Sequence, residues 1–104
     1  MTYSELKTAL EAACETVSEW AAPAGAERFI VLSPYGSDGP VADDAVRLEV
    51  QRVQLDLCWQ QPGDTLLGDV KRALTAADTP YSVENVSYDD DYAAMRAILE
   101  LEVL

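Results

Sequence analysis

From Ala45 to Trp59 apolar and polar residues alternate, and the alternation changes phase once. Val46, Leu48 and Val50 share one parity, whereas Val53, Leu55, Leu57 and Trp59 share the other. Strand side chains point to opposite faces in turn, so a period of two over this length demands a half-buried β-strand and a sheet to hold it. A bulge near Gln51-Arg52, one extra residue, brings both halves onto one inner face. The alternative is two strands joined by a tight turn, for which Gln-Arg lacks the chemistry.

Helical periodicity brackets this strand. Tyr3, Leu6, Leu10, Ala13, Cys14, Val17, Trp20 and Ala21 recur at three- and four-residue spacings, predicting an amphipathic helix over 3–21. Thr2 and Glu5 have capping-box spacing, Met1 and Leu6 suit a hydrophobic staple, and Pro23 and Gly25 close the run. Leu66, Leu67, Val70, Leu74 and Ala77 predict a second helix that starts after Pro62-Gly63, with Asp64 as its N-cap, and runs to Asp78. Arg28 to Leu32 reads as a short strand, and Ser33 to Asp44 as a long loop dense in turn formers. Loops of about twelve residues are uncommon inside compact domains and often carry function. Tyr81 to Tyr88 reads as a strand of irregular phase, Asp89-Asp90-Asp91 as a solvated turn, and Tyr92 to Leu104 as a closing strand. The expected fold is one α+β domain over 1–104. Two helices pack on one face of a mostly antiparallel four-stranded sheet, in the order α-β-β-α-β-β.

Composition narrows the function. The 104 residues carry 7 Lys+Arg against 19 Asp+Glu and no histidine, a net charge of −12, while 49% are hydrophobic. The chain therefore has globular composition, but it is ill suited to grip nucleic-acid phosphates or an anionic membrane, both of which draw on clustered cations. Without histidine the usual nucleophile–base pairs cannot be assembled, and two isolated cysteines cannot build a zinc site. Cys14 and Cys58 read as packing residues, thiols in a reducing compartment. Asp43-Asp44 and Asp89-Asp90-Asp91 lack the spacing, glycine and terminal Glu of a calcium loop. Gly36-Ser37-Asp38-Gly39 lacks the Lys and helix start of a phosphate loop. No catalytic, cofactor or metal site is expected. No secretion signal or span of about 18 apolar residues stands out, so the protein reads as cytosolic where it is made. The sheet face away from the helices offers Ala94, Ile98, Leu104 and Cys58 among charged residues, a candidate interface.

Several segments carry a resemblance in layout. These are the strand Phe29 to Pro34, the acidic Ala42-Asp43-Asp44, the strand core Arg52-Val53-Gln54-Leu55-Asp56-Leu57, the link Thr79-Pro80-Tyr81 and the closing Leu99-Glu100-Leu101-Glu102-Val103. From about residue 28 onward the order resembles the tail-completion, or tail-terminator, proteins that join tail to head in long-tailed bacteriophages. The resemblance implies a structural virion protein of the tail and neck, assembled in the host cytoplasm, with no enzymatic activity and no cofactor. It implies a homo-oligomeric, six-membered ring that caps the tail-tube protein and docks on the head connector or stopper protein, with no membrane contact. DNA would pass through without specific binding. Six copies would carry −72, six times −12, and could line a channel that repels DNA. The expected partner-contact residues are Tyr35, Asp38, Asp43, Asp44, Cys58, Ile98 and Leu104. The competing reading is a small acidic inhibitor that mimics DNA charge to block a basic nucleic-acid-binding protein. That role needs a continuous stripe of carboxylates.

Overall fold

The structure is a computed structural model, and it describes residues 1–38 and 50–104, the side chains of Ser37 and Asp38 excepted. Its elements are α1 (Tyr3–Ala13), β1 (Val17–Glu19), β2 (Arg28–Asp38), β3 (Val50–Trp59), α2 (Leu66–Ala76), β4 (Tyr81–Asp89) and β5 (Ala94–Val103). They form a five-stranded mixed sheet in the order β1-β2-β3-β5-β4. This corrects the four-stranded, mostly antiparallel expectation: β1 adds a strand parallel to β2, while the other neighbours pair antiparallel.

The extra strand comes out of the expected first helix. The Thr2–Glu5 capping box forms as its spacing predicts, with Thr2 N–H donating to Glu5 Oε1 at 3.0 Å and Glu5 N–H donating to Thr2 Oγ1 at 3.1 Å. The helix then stops at Ala13, and Cys14 turns extended with φ −146°. Thr16 and Val17, stiff at χ1, follow into β1, where Val17 sits beside Ile30 and Glu19 beside Leu32. Trp20, assigned by helical spacing to the apolar face, instead has φ +72° and is 65% exposed. Residues three apart share a face in a helix but not in a strand, so once the chain turns extended Trp20 leaves the core that Val17 packs against. Side-chain bonds tie helix to strand: Tyr3 Oη donates to Glu19 Oε2 at 3.0 Å and Lys7 Nζ donates to Glu19 Oε1 at 2.8 Å. Burial and the Glu19 carboxylate push the Tyr3 phenol up to about 12.

Two further boundaries differ. β2 runs to Asp38, so residues 33–38, expected as loop, are strand. The bulge lies on that strand, between Pro34 and Gly36, whereas β3 pairs with β5 without interruption from Gln51 to Trp59. The bulge expected at Gln51-Arg52 is therefore absent from β3, and Val46 and Leu48, whose parity called for it, lie outside the described residues. The expected strand start at Ala45 and the acidic segment Ala42-Asp43-Asp44 lie outside the described residues.

Both helices cover one side of the sheet. Leu6 and Leu10 of α1 and Leu66, Val70 and Leu74 of α2 pack on Ile30, Leu32, Val53, Leu55, Leu57, Ala97, Leu99 and Leu101. The strand residues share a face because they pair directly: Ile30 with Leu57, Leu57 with Ala97, Leu55 with Leu99. The N-cap of α2 is Thr65 rather than the expected Asp64, and the helix ends at Ala76, not Asp78. Asp64, one residue ahead of the cap, accepts the Leu66 N–H at 2.9 Å and the Arg28 guanidinium at 2.9 Å, which pins the helix start to β2.

Candidate interaction surfaces

The sheet face away from the helices divides in two. At one end Phe29, Val31, Cys58 and Ala94 form a small buried cluster with Ala26 against it, and the Tyr92 ring meets Phe29 edge-on at 6.2 Å. This end is therefore not the open apolar face expected: the segment after Trp20 and the turn before β5 fold over it. Burial pushes the Cys58 thiol up, so it stays neutral. Both cysteines are free and buried.

The rest of the face is an ionic lattice. Arg96 grips Asp56 with two nitrogens, donates to Asp89 Oδ2 at 2.7 Å and lies 5.8 Å from the Tyr92 ring centre. The guanidinium's own pKa is raised by those two carboxylates. The same Arg96 bond, helped by the Asp91 and Tyr92 N–H groups, lowers Asp89 against a smaller opposing effect of burial. Arg52 stands 3.9 Å from Glu102. Partial desolvation and the Glu100 charge raise the Tyr35 phenol, against an opposing pull from Arg52.

The expected contact residues scatter over these regions. Tyr35 occupies the β2 bulge and is half exposed. It joins Leu104, which is 55% exposed, in the lining of an open groove of about 520 Å³ together with Arg52 and Glu100. Ile98 is half-buried opposite Asp56, and Cys58 is 1% exposed, which makes it a packing residue of the chain on its own. Asp38 ends β2, and Asp43 and Asp44 lie outside the described residues.

The strand expected at Tyr81 to Tyr88 forms as β4, Tyr81–Asp89, but its place at the edge of the sheet was not foreseen. β4 is exposed along nearly its whole length and, among the described residues, has β5 as its one neighbour. Val83, Val86 and Tyr88 pair with Leu99, Ala97 and Met95, so they project on the helix-bearing side, yet they are 38%, 45% and 59% exposed. Glu84 bulges between Val83 and Asn85 and shifts the phase, so the three share a face despite unequal parity. That phase break was the irregularity visible in the sequence, and it was the available signal.

Among the described residues, no group of three Cys, Asp or Glu side chains is placed to hold a metal ion. The carboxylates of Asp56, Asp64 and Asp89 point at arginines. No described helix is long and apolar enough to cross a membrane.

Fold and surface together define a small α+β domain with a half-polar sheet face and an open, apolar-studded edge. Against known proteins, no family model and no curated protein matches the chain. Among solved structures, the chain is similar to a component of the virion of a native gene transfer agent (GTA) particle, at 14% identity and a TM-score of 0.48, over 90% of this chain and 83% of that one. Likeness at this level does not transfer a role from one chain to the other.

Proposed function

We propose that the protein is a structural, non-enzymatic virion component of the tail-completion type, a ring-forming subunit that caps the tail tube and meets the head connector. The observation that carries this reading is β4, an edge strand with Val83, Val86 and Tyr88 in solvent. Exposed apolar side chains on an unpaired strand edge are an aggregation hazard in a free-standing protein, and suit one that is covered in an assembly. The sheet's two edges also differ, three residues of β1 at one side and nine of β4 at the other. Unlike edges on opposite sides of a subunit suit contact with different virion proteins. The segment-by-segment resemblance in the sequence supports the choice of neck position.

The acidic-mimic reading is weaker on the same surface. Glu19, Asp56, Asp64, Asp69, Asp89 and Glu102 each face a Lys or Arg, which breaks any continuous carboxylate stripe. The test is imaging of tails made with this gene deleted. The expected outcome is headless tails of abnormal length, with purified protein restoring joining. Normal tails carrying heads would exclude the role.

A further inference from the structure

β4 has a specific chemistry along its free edge. The run Asn85–Asp89 keeps regular register with Ile98–Ala94, so its outward N–H and C=O groups form an ordered row. On the helix-bearing side that row is flanked by exposed Val86 and Tyr88. Around it acids outnumber bases: Glu84 in the bulge, Asp90 and Asp91 in the turn and Glu100 across on β5, with Asp89 at the strand end already bonded to Arg96. The cation beside the run, Arg96, is already bonded to Asp56 and Asp89. A second copy would bring the same acids to this edge on a chain already at −12, so like charges oppose self-pairing.

We infer that β4 accepts, by strand addition, an extended basic segment of a different polypeptide. Its apolar residues would lie on Val86 and Tyr88, and its alternating Lys or Arg residues would lie on the other face, opposite Asn85, Ser87 and Asp89. Main-chain bonds supply affinity in this mode, and alternate side chains supply selection. The inference rests on the protein being an assembly component and names the kind of partner that meets one edge. It can fail while ring formation, followed separately by electron microscopy of the purified protein, succeeds.

The experiment adds a nine-residue peptide of alternating Lys and Val, or its Glu-and-Val counterpart, to the isotope-labelled full chain and follows backbone amides by NMR and hydrogen exchange. The Lys peptide should slow exchange across Asn85–Asp89 at least tenfold. The Glu peptide should leave it unchanged. Val86→Lys with Tyr88→Lys, both at solvent-exposed positions, should weaken binding of the Lys peptide at least tenfold while amide shifts elsewhere stay native. Equal effects of the two peptides, no effect of either, or protection on β1 instead would overturn the inference. So would protection of β4 that rises with protein concentration in the absence of peptide, which would make a second copy the occupant.

Discussion

Arg96 joins three parts of the protein through one side chain: Asp56 on β3, Asp89 at the end of β4, and the Tyr92 ring in the turn. Its guanidinium fork matches the Asp56 carboxylate edge to edge, a geometry that lysine cannot reproduce. Arg96→Ala should therefore lower stability by about 1–2 kcal/mol, a range that allows for its partial exposure. Arg96→Lys should recover less than half of that in chemical denaturation. Asp64 gives a pH-dependent counterpart. Burial raises its pKa, but bonds from Arg28 and the Leu66 N–H outweigh burial and hold it below the ordinary 3.8. A depressed carboxylate stabilises the fold above its unfolded pKa and loses that contribution as pH falls through the folded value. Asp64→Asn should thus melt below wild type at pH 7, and the two melting temperatures should converge below about pH 3.8. A gap that persists at pH 2 would mean that the residue acts through packing instead.

At the scale of elements, the segment after α1 is where sequence and structure part. Trp20 sits at φ +72°, a left-handed conformation that costs a bulky residue on the order of 1 kcal/mol and suits glycine. Trp20→Gly should leave the melting temperature unchanged or raise it. In a helix running to residue 21 the same change would lower stability by about 1 kcal/mol. The sign of the shift therefore discriminates strand from helix. The capping box, the α2 face and the alternation from Val53 to Trp59 were legible because each depends on local spacing. β1 was not, because a three-residue strand exists through its pairing with Ile30 to Leu32, a contact that local periodicity does not encode. The closing strand was read correctly as alternating, but the cover over its Ala94 end comes from Ala26 and Tyr92, which arrive from distant and adjoining turns. The same gap explains the candidate surface. Cys58 looked available on parity alone, whereas Val86 and Tyr88 looked like ordinary strand residues until the sheet order left them outermost.

For the whole molecule, charge sets the conditions of assembly. Each copy carries −12, so close approach of copies works against mutual repulsion. Raising ionic strength from about 0.01 to 0.15 M shortens the screening length from about 30 to 8 Å. Self-association measured by light scattering should rise over that range if the protein forms rings. The opposite trend would mean that copies meet through salt bridges, and would remove the acidic-channel argument along with it. One last property follows from the two tryptophans, since Trp59 is 8% exposed beneath the helices and Trp20 is 65% exposed beside β1. The chain thus carries two intrinsic fluorophores in opposite surroundings. Trp59 emits to the blue and reports on the integrity of the core, while Trp20 emits to the red and is the first to be quenched by acrylamide. Folding and surface events can be followed at separate wavelengths without any attached dye.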